Sequence, residues 1–259
     1  MQNTPSERTV TDLTTADPTT TEPAADNPLR HRHIQSFVHR RSHFSKAQQL
    51  AYERLLPVYG VPYDTKPLDC AALFGNNHPV VLEIGCGMGE TTAAIAQATP
   101  QVNFLGLEVY NAGVAVLLQR VETQSLNNLR LIQHDAVEVL RDMVLPNTLA
   151  GVHIFCPDPW PKARHLKRRL IQAPFIASLL PHLKVGAYIH CATDVQDYAA
   201  QMLQVLSNTA GLRNLSNLSN QADGYHSPSN PFTKRPTTKF EARGQRLGHG
   251  MWDVVFQKI

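Results

Sequence analysis

Cysteine is scarce in this chain of 259 residues, and the few that occur form no recognisable pairs. Cys70, Cys86, Cys156 and Cys191 are scattered among apolar or glycine-rich neighbours, with no C-x-x-C spacing. Disulfide frameworks and zinc sites both depend on regularly spaced cysteines, so this distribution predicts neither. We expect reduced thiols in a cytoplasmic protein, and no bound metal.

Long apolar runs and a strong excess of charge are also missing. No run approaches the roughly 18 residues that span a bilayer, and no cationic start leads into the apolar core of a signal peptide. We therefore expect no membrane association. The formal net charge is only +3, so the positions of the charges carry more information than their sum. The hydrophobic content of 42% is enough for one domain with a sizeable core.

Composition divides the chain into three parts. Residues 1–28 are rich in Thr, Pro, Ala and acids and have almost nothing to bury, which is typical of a disordered tail. Residues 29–60 are predicted to form a basic arm and an N-terminal helix. Residues 61–259 are predicted to form the main domain.

The basic arm interleaves arginine and histidine with phenylalanine, a composition that suits RNA phosphates and bases but also an ordinary solvated segment. His39 and His43 have the one-turn spacing of metal ligands, but no nearby acid or cysteine completes a site. The helix that follows is predicted from Ser45 to Leu56, with Pro57 as its stop.

After Pro79, short apolar strands alternate with helical segments, as in βαβ proteins. The predicted strands are Val80–Ile84, Asn103–Leu107, Leu129–Ile132, Val152–Phe155, Ala187–Cys191 and Met251–Gln257. The predicted helices are Thr91–Ala98, Ala112–Thr123, Leu166–Leu180 and Val195–Leu206, and Pro174 should kink or divide the third of these. The pattern predicts an α/β fold with a doubly wound, mostly parallel sheet and an antiparallel C-terminal strand.

A glycine-rich turn follows the first predicted strand, where doubly wound sheets bind ligands. It contains Glu83, Gly85, Gly87 and Gly89 in the sequence EIGCGMG. The spacing is G-x-G-x-G rather than the dinucleotide fingerprint G-x-G-x-x-G, and an acid before the turn is a poor neighbour for pyrophosphate. The turn therefore favours a cofactor that carries positive charge.

Two further acids follow the next two strands. Glu108 ends the second strand, about 20 residues past the turn, where an acid commonly binds the ribose hydroxyls of an adenosine-type cofactor. Asp135 follows the third strand and could meet the adenine edge. Taken singly, each acid could equally be a solvated loop residue or a helix cap. Together with the glycine turn they resemble the Rossmann-like class I methyltransferases, which implies S-adenosylmethionine as the cofactor, held by Glu83, the three glycines, Glu108 and Asp135.

The stretch FCPDPWPKARHLKRR stands at the end of the fourth predicted strand. Amino-group methyltransferases of nucleic acids often resemble D-P-P-Y at this place, which grips an extruded base. Here a related order, Pro157-Asp158-Pro159-Trp160, runs directly into a basic strip that could neutralise RNA phosphates or could be a solvated helix face. The strip comprises Arg164, His165, Lys167, Arg168 and Arg169. Trp160 could stack on a base or simply pack.

Several separate motifs, in the right order, look like those of the bacterial tRNA (guanine-N7-)-methyltransferases. They are PDPWPKARHLKRR, Ala192-Thr193-Asp194, TKFEARG from Thr238, and GHGMWD from Gly248. The resemblance covers about residues 30 to 259. The basic strip departs from the family pattern at Leu166, where asparagine is usual.

The resemblance implies a methyl transfer from S-adenosylmethionine to N7 of a guanine in the tRNA variable loop. It makes Asp158 the acidic residue of the catalytic pocket and assigns RNA binding to the basic strip. It also implies a set of substrate-binding residues: Lys162, Asp194, Thr238, Lys239, Phe240 and Glu241. Two alternatives are an enzyme that methylates another RNA position, such as an exocyclic amine, and a noncatalytic RNA-binding protein on the same fold. The pattern leaves monomer and homodimer equally open.

Overall fold

The computed structural model of the protein describes residues 36–37, 44–215, 225, 235–236 and 250–259. These residues all fall within one compact unit, Ile34–Ile259. The predicted tail and most of the predicted basic arm lie outside the described residues, so the three-part division of the chain stays a prediction.

The described residues form one sheet of seven strands in the order β3-β2-β1-β4-β5-β7-β6. Strands β1 to β5 pair in parallel, and β7 runs antiparallel to both β5 and β6. The strands are β1 (Val80–Ile84), β2 (Asn103–Leu107), β3 (Leu129–Ile132), β4 (Leu149–Phe155), β5 (Leu183–Thr193), β6 (Leu212–Asn214) and β7 (Trp252–Lys258). The predicted α/β class, the mostly parallel sheet and the antiparallel C-terminal strand are confirmed. The strand order reverses between β1 and β4, which is where folds of this kind bind ligands.

Seven α-helices cover the two faces of the sheet in the described part of the chain. They are α1 (Lys46–Tyr59), α2 (Cys70–Phe74), α3 (Glu90–Ala98), α4 (Asn111–Thr123), α5 (Ala136–Met143), α6 (Ala173–Leu179) and α7 (Gln196–Ser207). Helices α1, α3 and α4 enclose one buried core, and α5, α6 and α7 enclose the other. Because β1 and β2 are buried on both faces, they read as continuous apolar runs in the sequence. Within the described ranges, no helix is long and apolar enough to cross a membrane.

Helix α1 does not end at Pro57 as predicted. It begins where expected, because Ser45 and Gln48 cap each other's backbone N–H groups. It then continues through Pro57 to Tyr59, with Leu55 fully buried and Tyr59 packed on the same core. Packing against the core outweighs the one hydrogen bond that proline removes near the end of a helix.

The predicted helix from Leu166 to Leu180 is two separate elements. A 3-10 helix spans Ala163–Arg168, and α6 begins only at Ala173. Pro174 lies in the first turn of α6, where its missing N–H costs nothing and its fixed φ suits a helix start. The proline starts a helix here rather than kinking one.

Three short elements, α2, α5 and β6, were not predicted at all. The segment that forms α5 has a buried apolar face, but it directly follows Asp135, which had been interpreted as a ligand-binding acid. β4 and β5 also begin earlier than predicted, at Leu149 and Leu183. The early part of β5 includes exposed residues, so it lacks the apolar signal that marks the buried strands.

Candidate active site

Five predicted site acids lie at the carboxyl edge of the parallel strands. Glu83 is the fourth residue of β1, Glu108 directly follows β2, and Asp135 comes three residues after β3. Asp158 comes three residues after β4, and Asp194 directly follows β5. The carboxyl ends of parallel strands share one edge of a sheet, so the fold brings these acids to the same side of the molecule.

The glycine turn is an open cradle at the centre of this edge. Gly85, Gly87 and Gly89 have φ of 77°, 55° and 68°, a region that other residues enter only at a cost of about 1–2 kcal/mol. A Cβ added at Gly85 or Gly87 would meet nothing within 4 Å, whereas one at Gly89 would lie 2.2 Å from Leu117 Cδ1. The first two glycines therefore leave space for a ligand, and the third lets α3 pack on α4.

Glu108 holds the loop around this cradle in place. Its Oε2 accepts a hydrogen bond from the Gly87 amide at 2.6 Å. Its Oε1 accepts from the amides of Val109 at 2.7 Å and Tyr110 at 2.9 Å. The half-buried carboxylate thus fixes the glycine turn relative to the end of β2, and Oε2, which accepts only the Gly87 amide, keeps a further lone pair that can face a ligand.

Glu83 is buried inside β1 rather than exposed at the turn, with a relative exposure of 2%. Its Oε1 accepts a hydrogen bond from the Thr92 hydroxyl at 2.8 Å. Its Oε2 has no hydrogen-bond partner among the described residues and lies 3.7 Å from His153 Nδ1. A buried carboxylate oxygen without a partner is costly, so this atom is suited to a ligand donor or an ordered water.

Asp135 is the N-cap of α5. Its side chain accepts a hydrogen bond from the Val137 amide at 3.0 Å, which satisfies one of the open donors at the helix start. The helix-cap alternative considered for this acid is therefore realised in the structure. A carboxylate has about four lone-pair sites on two oxygens, so capping and ligand binding are compatible.

These residues fit S-adenosylmethionine. The cradle is open where glycines lack side chains, Glu108 is bonded to it, and two further acids lie at the ends of the neighbouring strands, one of them with a buried oxygen that needs a donor. Such a donor set suits a cofactor with a positive charge, ribose hydroxyls and an amine. The six residues predicted for the cofactor therefore stay its candidate ligands: Glu83, Gly85, Gly87, Gly89, Glu108 and Asp135.

The loop with Asp158 leaves β4 in a constrained conformation. Cys156 has φ of 48° and Trp160 has φ of 43°, both unusual for residues other than glycine. The Cys156 amide donates to the Ala192 carbonyl at 2.8 Å, so the loop is fixed to the end of β5, just before Asp194. Half-buried Asp158 lies between Cys156 and Trp160 in the chain, and strained backbone of this kind is typical of functional loops.

The Trp160 side chain contacts three other residues of the protein. Its indole N–H donates to the Ser36 carbonyl at 2.8 Å. The Arg168 guanidinium lies 3.8 Å from the ring centroid, and the His165 ring meets it edge-on. These contacts give the indole the packing role left open by the sequence and place Arg168 in a defined position over it.

The basic strip divides by exposure. Lys162, Arg164 and Lys167 are exposed on or beside the 3-10 helix, and His165 and Arg168 are half-buried. Desolvation, together with the nearby Arg164 and Arg168 charges, lowers the pKa of the His165 imidazole, which favours its neutral form at pH 7. The exposed cations present their charge to solvent, as phosphate binding requires.

Arg169, also predicted to bind RNA, has only 3% relative exposure. Its guanidinium donates to the Pro159 carbonyl at 2.8 Å, to Gln201 at 2.9 Å and to Asp197 at 2.7 Å. It also lies 4.6 Å from the Tyr198 ring centroid. The side chain ties the Asp158 loop to α7, a position that supports the loop and does not present the charge to RNA.

Four predicted substrate residues, Thr238, Lys239, Phe240 and Glu241, lie outside the described residues. Arg235, just before them, is described and forms a two-point ion pair with Asp253 on β7. The same Asp253 Oδ1 meets His190 Nε2 at 2.7 Å. None of Arg235, Asp253 and His190 had been predicted as a site residue.

A row of buried ionisable side chains was also missed. Glu83, His153 and His190 are register partners on β1, β4 and β5, and each is at most 2% exposed. His153 Nε2 also meets the Tyr188 hydroxyl at 2.9 Å. A polar residue inside an otherwise apolar strand was the available signal for each histidine, but only the register shows that the three form a row.

Comparison with known proteins agrees with this arrangement. A family model described as "Putative methyltransferase" matches residues 77–254. A tRNA (guanine-N(7)-)-methyltransferase of Bordetella pertussis is 57% identical over 226 residues, which cover 87% of this chain and 85% of that protein. The protein of the same name from Nitrosospira multiformis is 55% identical over 228 residues, 88% of this chain and 96% of that protein.

Among solved structures, the 16S rRNA methyltransferase KamB aligns with a TM-score of 0.50 and 15% identity, over 75% of this chain and 96% of that one. At this identity the likeness concerns the fold alone, and it agrees with the strand order described above. The sequence relatives carry the assignment further, since they match more than half of the aligned residues over most of both chains. The chain belongs to the tRNA (guanine-N(7)-)-methyltransferase family.

Proposed function

We propose that this protein transfers a methyl group from S-adenosylmethionine to N7 of a guanine in the tRNA variable loop, forming N7-methylguanosine. One observation carries the proposal. In a chain 57% identical to a tRNA (guanine-N(7)-)-methyltransferase, the loop that holds Asp158 at the sheet edge runs directly into an exposed cationic strip. A carboxylate beside a phosphate-binding surface suits a reaction on a base within RNA.

When bound, S-adenosylmethionine supplies the electrophilic methyl carbon on its sulfonium. The residues of the cradle hold and orient it. Glu108 and Asp135 would accept hydrogen bonds from the sugar hydroxyls and the amine, and Glu83 Oε2, which lacks a donor among the described residues, would accept another. Fixing the donor next to the acceptor contributes on the order of 7 kcal/mol or more to lowering the barrier.

The acceptor atom needs no general base. Guanine N7 already carries an exposed lone pair, so no proton has to leave before it attacks. Positive charge develops on the guanine ring during the transfer, and a nearby carboxylate stabilises that charge more in the transition state than before it. Asp158 has this role, and Asp194, at the end of the neighbouring strand, supports it.

The same carboxylates explain selectivity for guanine. A carboxylate only accepts hydrogen bonds, and the Watson–Crick edge of guanine offers two donors, N1–H and the N2 amine. Adenine lacks a donor at N1, so it would leave a carboxylate oxygen facing a lone pair. Lys162 and the segment Thr238–Glu241 complete the substrate contacts in this proposal.

Binding of the RNA rests on the exposed part of the basic strip. Arg164 and Lys167 neutralise phosphates without reading sequence. Arg168, stacked on Trp160, offers its charge at a fixed angle, and neutral His165 beside it donates or accepts a hydrogen bond. We assign Arg169 to the support of this surface. Reduced thiols suit the cytoplasm, the compartment that we propose for the enzyme.

The test is to incubate the purified protein with unmodified tRNA and labelled S-adenosylmethionine, digest the RNA and identify the methylated nucleoside. Asp158→Ala serves as the variant, and Asp69→Ala, at the N-cap of α2 on the opposite edge, serves as the matched control. We expect N7-methylguanosine from the wild type and the control, and a rate at least about a hundredfold lower from Asp158→Ala. A methyl group on guanine N2 or on adenine N6 would contradict the assignment of guanine N7 as the acceptor. Binding of tRNA without any methylated product would contradict the enzymatic function.

A further inference from the structure

An ion pair joins two separate parts of the chain at the amino end of β7, which lies beside the carboxyl end of β5. Arg235 Nε donates to Asp253 Oδ1 at 3.0 Å, and a terminal guanidinium nitrogen donates to Asp253 Oδ2 at 2.9 Å. The two side chains are only 8% and 19% exposed. Two parallel hydrogen bonds fix the guanidinium in one orientation, which a single point contact would not do.

The pair also has fixed neighbours within the sheet. His190 Nε2 lies 2.7 Å from Asp253 Oδ1, so this carboxylate is held from β5 as well. The Arg235 guanidinium lies 6.0 Å from the ring centroid of Phe155, the last residue of β4. Ala192 on β5 is the register partner of both Phe155 and Asp253. The pair therefore lies where the strands that precede Asp158 and Asp194 come together.

Arg235 stands just before the predicted substrate segment. Thr238 is three positions further along the chain, and an extended chain covers at most about 3.6 Å per residue, or about 11 Å over three steps. Pro236 follows Arg235 directly, and its ring restricts both its own φ and the backbone of the residue before it. The ion pair therefore fixes the chain at Arg235, shortly before the predicted substrate segment.

We propose that the Arg235–Asp253 ion pair is a positioning device for the tRNA substrate. It ties the chain at Arg235 to Asp253 beside the ends of β4 and β5, so that the loops with Asp158 and Asp194 keep one relative placement. The inference rests on the proposed function, because it concerns how the same site holds its guanine. Neither residue is assigned to the chemistry.

Stability alone is a weak explanation for this pair. A buried ion pair often adds little net stability, because the loss of hydration offsets the attraction between the charges. What such a pair does supply is a single geometry, and a misplacement of about 1 Å in a substrate-positioning group can cost on the order of a hundredfold in rate. The expected signature is therefore kinetic and confined to the RNA substrate.

The experiment compares Arg235→Gln, Arg235→Lys and the double variant Arg235→Gln/Asp253→Asn with the wild-type enzyme. Arg213→Ala is the matched control, since it removes an arginine on β6 that donates to Gln257, away from the site edge. Four quantities are measured: kcat and KM for tRNA, the Kd of S-adenosylmethionine by calorimetry, and Tm. N7-methylguanosine formation by the wild type is scored in the same assay.

We expect kcat/KM for tRNA to fall about tenfold to a hundredfold in Arg235→Gln, with the cofactor Kd unchanged. Arg235→Lys recovers part of the loss, because it keeps the charge but not the two-point geometry. The double variant is no worse than Arg235→Gln, since both changes break the same ion pair and the Oδ1 of asparagine can still accept a hydrogen bond from His190.

Two results would overturn the inference while leaving the proposed function intact. In the first, the wild type makes N7-methylguanosine but Arg235→Gln has the kinetics of Arg213→Ala. In the second, cofactor affinity, Tm and tRNA kinetics of Arg235→Gln all decline together and Arg235→Lys recovers none of them, which would make the pair a general structural support. If the wild type itself forms no N7-methylguanosine, the proposed function fails, and the inference about its guanine pocket fails with it.

Discussion

Arg169 and Lys167 lie two residues apart in the same basic strip, yet the structure predicts opposite effects when each is replaced by methionine. Lys167 is exposed on the 3-10 helix, whereas the Arg169 guanidinium is buried against α7 and the Asp158 loop. Methionine preserves much of the apolar volume of either side chain and removes its charge. Comparing the two variants therefore distinguishes a side chain that stabilises the fold from one that contacts phosphate.

The cost of Arg169→Met can be worked from its three acceptors. Bonds from a charged donor to the Pro159 carbonyl and the Gln201 amide contribute about 1.5 kcal/mol each at the low end, or about 3 kcal/mol together. The third acceptor, Asp197, has a side chain that is 63% exposed, so solvent screens it and it adds well under about 1 kcal/mol. We expect the free energy of unfolding to fall by about 3 kcal/mol in Arg169→Met and to stay at the wild-type value in Lys167→Met.

Salt dependence supplies the complementary measurement. Each phosphate contact that is lost reduces the slope of log affinity against log salt by about 0.7 to 0.9. Urea denaturation gives the stability, and tRNA binding between low and moderate salt gives the slope. Lys167→Met should reduce the slope by one contact, and Arg169→Met should leave it unchanged. A reduced slope with full stability in Arg169→Met would refute the assignment of Arg169 to loop support.

Three further predictions concern stability. Gly89→Ala should lower the free energy of unfolding, measured by urea denaturation, by about 3 kcal/mol or more, because the added Cβ would overlap Leu117 and φ is positive. Gly85→Ala should lower it only by the backbone strain of about 1–2 kcal/mol, because its Cβ would meet no other atom. Leu55→Ala should cost about 2–5 kcal/mol in the same assay, because Leu55 is 1% exposed in the core under α1. Burial lowers the pKa of His190 despite its bond to Asp253, so the unfolded state binds a proton more readily than the folded state. Stability should therefore fall as the pH drops below about 6.5. Thermal unfolding measured across pH should show a flatter dependence of Tm on pH in His190→Gln than in the wild type.

The central strands and the mostly parallel sheet could be predicted because burial on both faces leaves a simple signal. β1, β2 and β3 were predicted with their observed bounds, each as a short apolar run between turn residues. Placing the site acids at one edge then required only the rule that ligands bind at the carboxyl ends of such strands.

The roles of individual side chains could not be read in the same way. Lys167 and Arg169 look alike in sequence, and only the packing of the loop against α7 shows that one is exposed and the other buried. Asp135 was recognised as an acid at the right strand end, but the helix that it caps was missed. Arg235 and Asp253 are separated by a long segment, so their pairing depends on tertiary structure that no local pattern reports.

The most direct test of the central claim replaces the acceptor atom itself. A tRNA with 7-deazaguanosine at the variable-loop guanine has a C–H group where N7 would be, while the N1 and N2 donors that Asp158 and Asp194 are proposed to accept remain. We expect this tRNA to bind with the same affinity as the unmodified tRNA and to take up no methyl group, whereas the unmodified tRNA is methylated fully. Methyl uptake by the substituted tRNA at the normal rate would contradict the account, because it would place the acceptor at an atom other than N7.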